Sequence, residues 1–332
     1  MITQEDIGRH AKALLAFCGY PAVHYKVKFF ILGVPYEDKE LSLLRGDFLK
    51  SDIVEELYQT QDERGGWGNF QSKDYSVKTV IPTSAVGIER CLYIGLTVED
   101  RDILFMAEEY LKELLLDPSH KEVREKNERA IPWHMASVCN LLEAIAPHSP
   151  LCDETWQQWL FIAGRAYEDG EYSHEKDQAA QHEVFLTKES RLVPMQSELL
   201  LKRREELSDF LEGAMLRHLG RHAAENGHFW DKTPERLPER FTDPQTRRWF
   251  KTFNYINQFR GSALYLHNAA EWLMENARED GLWDWGTQTK DPWGYFGYFS
   301  CNRNYKHNRV VDCTIEILNF LKQYIDNNQP LA

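Results

Sequence analysis

Apolar residues recur at helical spacing in several segments, and each segment ends in a glycine followed two residues later by an aromatic side chain. Apolar positions three and four residues apart are typical of a helix that buries one face. The glycine suits a left-handed helix end, and the aromatic can pack between neighbouring helices. The four turns are Arg64-Gly65-Gly66-Trp67, Asp169-Gly170-Glu171-Tyr172, Asn226-Gly227-His228-Phe229 and Asp280-Gly281-Leu282-Trp283. No stretch alternates convincingly with a period of two, so the pattern predicts an all-α protein.

A second signal with a similar spacing marks where further helices are expected to begin. Proline suits the first helical position, because its missing N–H would be unpaired there and its φ is already helical. Six similar stretches open at Pro21, Pro82, Pro132, Pro194, Pro244 and Asp312. A repeat of about fifty residues corresponds to one helical hairpin, which cannot bury its apolar face without neighbours. We therefore predict about six hairpins closed into an α/α toroid.

Two segments depart from this repeat without dividing it. Residues 171–196, rich in charge and histidine, predict a longer excursion or an extra helix, and residues 284–309 predict an aromatic and basic loop before the last helix. The basic run Lys202-Arg203-Arg204 is followed by two glutamates and predicts a solvated helix face. Because no linker rich in proline, glycine and serine interrupts the repeat, we predict a single domain over residues 1–332.

Composition and charge narrow the partners and the compartment. Hydrophobic residues make up 42% of the chain, enough for a large core, and the net charge of −13 argues against nucleic acid as a partner. No apolar run approaches the roughly 18 residues that a membrane span needs, and the N-terminus does not resemble a signal or transit peptide. The six scattered cysteines predict reduced thiols, so we expect a cytoplasmic protein.

Three short motifs carry a resemblance to a known superfamily. The run Tyr58-Gln59-Thr60-Gln61-Asp62-Glu63-Arg64-Gly65-Gly66-Trp67-Gly68, followed by Pro82-Thr83-Ser84-Ala85, resembles the glutamine–tryptophan repeat of terpenoid cyclases and protein prenyltransferases. The stretch from Trp272-Leu273 to Asp280-Gly281-Leu282-Trp283 repeats it more weakly, without the glutamine. The run Val311-Asp312-Cys313-Thr314-Ile315-Glu316 resembles the aspartate–cysteine–threonine–alanine–glutamate motif of oxidosqualene cyclases, with Ile315 in place of alanine.

The resemblance implies an α/α toroid whose inner helices line a cavity for an isoprenoid or other apolar ligand. It also implies that Asp312, followed by Cys313, is the general acid that starts cyclisation. Some family features are missing, since the sequence has no Asp-x-Asp-Asp motif and is long enough for one toroid only. The prenyltransferase zinc site does not carry over, because Asp312 and Cys313 are adjacent and no histidine follows them. We therefore expect no metal and no cofactor.

The residue types around Asp312 leave two interpretations open. An acid that protonates an alkene or epoxide must stay protonated in a water-free cavity, and aromatic faces must stabilise the resulting cation. Alternatively, Asp312 caps its helix or forms an ion pair, which favours the charged carboxylate. The upstream basic residues Arg303, Lys306 and Arg309 either hold an anionic group of the substrate or belong to a solvated loop.

Several aromatic and histidine side chains are candidates for the cavity wall, with helix core as the alternative. His134, two residues after Pro132, either faces the cavity as a catalytic group or is a buried core histidine. The pairs His174 and His182, and His218 and His222, either bind a metal or lie on exposed helices. The predicted substrate-binding aromatics are Trp67, Trp283, Trp293, Tyr295, Phe296 and Phe253.

Three functions are compatible with these observations. The first is a small terpenoid cyclase-like enzyme that uses acid-initiated carbocation chemistry. The second is a toroid that binds a lipid or other apolar ligand without chemistry. The third is a carbohydrate-active toroid enzyme, for which Asp280 with Asp284, or Glu171 with Glu175, would be the paired carboxylates.

Overall fold

The computed structural model describes residues 2–72, 81–117, 131–186, 194–222, 237–243, 246–286, 299 and 305–327. This part of the chain consists of fourteen α-helices joined by turns and short helical segments, and it contains no strand. The prediction of an all-α protein is therefore confirmed, while the toroid stays a prediction. Among the described helices none combines the length and the apolar character that crossing a membrane would require.

The helices are numbered here in chain order. They are α1 (Gln4–Phe17), α2 (Pro21–Lys26), α3 (Lys39–Phe48), α4 (Asp52–Thr60), α5 (Ser84–Ile94), α6 (Ile103–Leu116), α7 (Ile131–Ile145), α8 (Asp153–Ala166), α9 (His174–Phe185), α10 (Pro194–Lys202), α11 (Asp209–His222), α12 (Thr246–Ile256), α13 (Ala263–Glu275) and α14 (Lys306–Asp326). A π-helical turn, Val27–Ile31, continues α2, and short 3₁₀ turns span Pro150–Cys152 and Arg204–Glu206.

The chain divides into two compact units, which are described separately. Unit 1 comprises residues 1–55 and 216–332, and unit 2 comprises residues 56–215. In unit 1, α14 packs against α1, α13 and the π-helical turn, and α2 packs against α3. In unit 2, α7 packs against α5, α6, α8 and α10, and α9 packs against α8. The predicted single domain over the whole chain stays a prediction.

The prolines mark helix starts, with small offsets. Pro21 and Pro194 are the first residues of α2 and α10, and Pro132 is the second residue of α7. Pro82 lies two residues before α5, whose N-cap is Thr83, and the Thr83 hydroxyl accepts a hydrogen bond from the Val86 N–H at 3.3 Å. Pro244 lies outside the described residues.

Asp312 does not open a helix, so its predicted place in the series is wrong. Helix α14 begins at Lys306, and Asp312 is its seventh residue. The buried pair Val310 and Val311 continues the apolar face of α14 toward its N-terminus, and this extends the helix beyond the predicted start. The interpretation of Asp312 as a helix cap is therefore also wrong. The last four residues of the predicted loop 284–309 belong to α14. The predicted excursion 171–196 contains α9 and the start of α10.

The glycine–aromatic turn at Gly65 is closed by hydrogen bonds from its tryptophan. The Trp67 peptide N–H donates to the Ser84 hydroxyl at 2.8 Å, and the Trp67 indole N–H donates to the Leu57 carbonyl at 3.2 Å. Gln61 donates to the Gly65 carbonyl at 2.8 Å. One residue pattern thus connects α4, the turn and the start of α5. We call a turn glycine, its tryptophan and the hydroxyl on the following helix a tryptophan-turn module.

Unit 1 contains a second tryptophan-turn module with the same hydrogen bonds. The Trp283 peptide N–H donates to the Thr314 hydroxyl at 3.0 Å, and its indole N–H donates to the Leu273 carbonyl at 2.7 Å. In both modules the indole reaches the carbonyl ten residues upstream. Gly281 has a φ of +79° and Gly65 a φ of +88°, the left-handed region in which glycine avoids the Cβ penalty.

The turn at Gly170 is closed by a different hydrogen bond. The turn at Gly227 lies outside the described residues. Gly170 again has a positive φ, of +81°. Its aromatic is Tyr172, whose hydroxyl donates to the buried Asp177 carboxylate at 2.5 Å. Tyrosine carries its polar group at the ring tip, so it requires an acceptor at a different place from that of an indole.

Alanine substitutions at Gly65 and Gly281 should lower the free energy of unfolding by different amounts. Both sites require a left-handed backbone, so Gly281→Ala should lower the free energy of unfolding by about 1–2 kcal/mol. A Cβ at residue 281 would lie 3.4 Å from the His10 ring, whereas one at residue 65 would overlap the Met106 carbonyl oxygen. Gly65→Ala should therefore cost at least about 3 kcal/mol. Urea unfolding of both variants measures the difference, and equal losses would contradict it.

Candidate functional site

The Asp312 carboxylate lies inside unit 1 and away from solvent. The residue is 2% exposed, and its Oδ1 accepts a hydrogen bond from the Phe299 N–H at 3.0 Å. Its neighbour Cys313 is fully buried. Burial raises the pKa of the Cys18 thiol to about 11, and the nearby Asp312 charge adds to that rise. The motif aspartate is thus a buried polar group with a backbone donor and a thiol close to it.

Two contacts hold α14 on either side of Asp312. Three residues before it, Arg309 forms a bidentate ion pair with Asp284, with Nε–Oδ1 at 2.7 Å and Nη2–Oδ2 at 3.1 Å. Two residues after it, the Thr314 hydroxyl accepts the Trp283 N–H. Because Trp283 and Asp284 are consecutive, one short segment fixes the helix at both points.

His10 on α1 supports this segment from a third side. Its ring nitrogen Nδ1 lies 2.6 Å from the Gly281 carbonyl oxygen, and a carbonyl only accepts, so Nδ1 carries the proton. The His10 ring also contacts the Trp283 ring, with centroids 4.7 Å apart. The turn before Trp283 is therefore anchored to α1 as well as to α14.

The ion pair determines the charge state of Asp284. Burial acts to raise the pKa of its carboxyl, but hydrogen bonds from Arg309 and from the Gly286 N–H outweigh that effect, so the pKa lies below its usual range. Arg309 is thus bound to a carboxylate of the protein itself, which competes with its predicted role as a ligand for an anionic substrate group. Lys306 is the exposed first residue of α14. Arg303 lies outside the described residues.

The predicted aromatic residues fall into three groups. Trp67 and Trp283 are buried in the two tryptophan-turn modules. Phe253 is buried in α12 with its ring centroid 4.3 Å from that of Trp249. Trp293, Tyr295 and Phe296 lie outside the described residues. The structure therefore brings Asp312, Cys313 and Trp283 together in unit 1, and Trp67 belongs to unit 2.

His134 lies in unit 2, buried on α7. Its ring packs edge-to-face against Phe70, with centroids 5.2 Å apart. The predicted choice between a core histidine and a cavity-facing one stays open, although the ring contact is typical of core packing.

The histidine pairs that were considered for metal binding are not joined by further ligands in the described part of the chain. His174 and His182 are exposed on α9, His218 is half-buried on α11, and the side chain of His222 lies outside the description. Among described residues, the one group with three donors is the exposed cluster of His148, Glu205 and Glu206. Glu205 faces Nε2 of the ring at 3.1 Å and Glu206 faces Nδ1 at 3.7 Å, an arrangement typical of a surface ion pair.

The sequence did not predict an ion-pair network around the buried Arg203 in unit 2. The predicted solvated face at residues 202–204 is wrong for Arg203, which is 4% exposed. Its guanidinium donates to Glu143 at 2.6 Å and to Asp153 at 2.8 Å. The partners are fifty and sixty residues away along the chain, so no local pattern could identify them.

Glu198 on α10 is a second group that sequence reasoning missed. The Asn140 amide donates to it at 3.4 Å. Burial raises the pKa of Glu198 to about 7, with Glu89 acting in the same direction and Lys202 and Asn140 opposing it. Its one sequence signal is its position directly before the buried pair Leu199 and Leu200. A carboxyl with this pKa can hold or release a proton near neutral pH.

Glu198 should make the stability of the protein depend on pH. Folded Glu198 keeps its proton up to about pH 7, whereas the unfolded chain loses it near pH 4.5. The native state thus binds more protons in this window, and the free energy of unfolding should fall with rising pH by on the order of 2–3 kcal/mol. Urea unfolding of Glu198→Gln at pH 4, 5.5 and 7.5 should lack this component. Glu154→Gln, at an exposed site, is the control, and a wild-type slope retained in Glu198→Gln would contradict the assignment.

Comparison with known proteins adds no further assignment. The chain matches no protein-family model, no curated protein and no solved structure. The resemblance to terpenoid cyclases therefore depends on the sequence motifs alone.

Proposed function

We propose that the chain is a terpenoid cyclase-like enzyme that acts on an isoprenoid or other apolar substrate, with Asp312 as the proton donor. The observation that supports this most is the place of Asp312: a carboxyl in the interior of α14, 2% exposed, beside a buried thiol. Acidic side chains are rarely found in a protein interior.

The proposed reaction transfers one proton to the substrate and later removes one proton from the resulting cation. Protonated Asp312 gives its proton to an alkene carbon or an epoxide oxygen, and the substrate becomes a carbocation. The final cation loses a proton to form the alkene product, and return of a proton to the Asp312 carboxylate restores the acid. The Phe299 N–H donates a hydrogen bond to Oδ1 of this carboxyl and holds it in place.

Unit 1 also contains aromatic rings of the kind that stabilise a cation. The rings form a connected set in which Phe241 stacks on Trp285 at 4.6 Å, and Phe250 links Trp285 to Phe320 at 5.3 and 5.5 Å. Ring faces attract cations through their quadrupole, and this attraction grows when water is excluded. These rings support the proposal as a source of cation stabilisation within the same unit.

A non-catalytic apolar-ligand protein is the second candidate, and one contact favours it. A backbone N–H that donates to a carboxylate stabilises the charged form, which is the opposite of what a proton donor requires. For the carbohydrate-active alternative, both carboxylates of the pair Asp280 and Asp284 are bound by arginines, since Asp284 binds Arg309 and Asp280 binds Arg278 at 2.6 Å.

Asp312→Asn should separate these functions. Asparagine keeps the shape and removes the acid, so turnover of a panel of squalene, oxidosqualene and geranylgeranyl diphosphate should fall by at least about a hundredfold. Product formation is followed by gas chromatography with mass spectrometry, and thermal unfolding checks that the fold survives.

The matched control is Asp177→Asn, which removes a buried carboxylate of unit 2 held by Tyr172 and Gln181. It should retain the turnover of the wild type. Unchanged turnover in Asp312→Asn would overturn the acid role. Ligand retained by wild type and variant alike, with no product from either, would establish the binding protein instead.

A further inference from the structure

We propose that Thr314 is a positioning residue for Asp312, acting through the tryptophan-turn module of unit 1. The inference rests on the proposed role of Asp312 as proton donor. In this proposal the module closes a turn and also fixes the rotation and the axial position of α14 at Asp312.

The two modules of the chain provide an internal comparison. Ser84 and Thr314 play the same part, since each hydroxyl accepts the peptide N–H of the module tryptophan, at 2.8 and 3.0 Å. Two residues before the hydroxyl stands Pro82 in unit 2 and Asp312 in unit 1. The shared hydrogen bonds thus occur once beside a proline and once beside a buried acid.

The unit 1 module has one additional feature that flanks the acid. Trp283 is followed by Asp284, which pairs with Arg309, whereas Trp67 is followed by Gly68, which has no side chain to pair. The ion pair and the Thr314 hydrogen bond lie on opposite sides of Asp312 along α14. A helix held at two points five residues apart cannot slide or rotate between them.

Proton transfer requires the Asp312 carboxyl at a defined position, so the two contacts that fix α14 affect the rate. A slip of one residue along an α-helix moves a side chain by 1.5 Å and turns it by about 100°. A displacement of 1 Å at a reacting group can reduce the rate by about a hundredfold. Such a slip would also separate Asp312 from the Phe299 N–H, which lies at 3.0 Å.

Thr314 is the more informative contact to remove, because the change can be small. The residue is fully buried, and its hydroxyl also donates to the Trp283 carbonyl at 3.4 Å. Valine has nearly the same shape without the hydroxyl, and serine restores the hydroxyl without the methyl group. Ser84→Ala removes the equivalent hydroxyl from the module that has no acid.

The experiment compares Thr314→Val, Thr314→Ser and Ser84→Ala in the full chain. Thr314→Val should lower kcat at least tenfold with KM within twofold of wild type, and Thr314→Ser should return to within threefold of the wild-type kcat. Both Thr314→Val and Ser84→Ala should lower Tm by a few degrees, since each leaves a buried N–H without its acceptor. Ser84→Ala should keep the wild-type kcat.

Equal kcat in Thr314→Val and Ser84→Ala would overturn the positioning role and leave Thr314 as a structural residue. If wild type turns over no compound of the panel, the proposed function fails and the same variants are compared by infrared spectroscopy. The Asp312 carboxyl band is assigned as the one that Asp312→Asn removes. A band displaced in Thr314→Val and unchanged in Ser84→Ala would support the positioning role, and a band unchanged in both would overturn it.

Discussion

Trp67 and Trp283 each bring an indole N–H and a peptide N–H out of water, and a buried N–H without an acceptor costs free energy. In this chain the requirement is met twice in the same way: the indole bonds a carbonyl ten residues upstream, and the peptide N–H bonds a hydroxyl on the following helix. A left-handed glycine two residues earlier turns the chain so that both bonds form. In each module, hydrogen bonds thereby join the preceding helix, the turn and the following helix.

The buried acidic groups show how different partners stabilise a carboxyl inside the protein. Glu143 faces the Arg203 guanidinium, so its charge is compensated directly. Asp177 receives neutral donors from Tyr172 and Gln181. Burial raises the pKa of Glu198 to about 7, with Glu89 adding to the rise and Lys202 and the Asn140 amide opposing it. A cationic partner, neutral donors and burial beside a second carboxylate are thus three different environments for an acidic group in unit 2.

The local part of this arrangement could be predicted from the sequence. The apolar spacing and the glycine–aromatic turns identified the helices and the turns at Gly65, Gly170 and Gly281, because both signals lie within a few residues. The hydroxyl partners of the tryptophans could not be predicted, since Ser84 and Thr314 lie 17 and 31 residues away. The pairing of Arg309 with Asp284 could not be predicted for the same reason, because the two residues are 25 positions apart.

Helix α14 starts at Lys306, six residues before the start that the sequence predicted at Asp312. Pro82 lies before α5, where a missing N–H and a fixed φ do no harm. Proline at residue 312 would lie within α14, where it would remove a hydrogen bond and clash with the preceding turn. With aspartate there, the helix continues toward its N-terminus for six more residues, 306–311, and this added part includes Arg309. An aspartate at residue 312 is thus compatible with a longer helix, and the added part of that helix carries the ion pair. The ion pair of Arg309 with Asp284 and the hydrogen bond of Trp283 with Thr314 therefore hold one continuous helix on both sides of the buried Asp312.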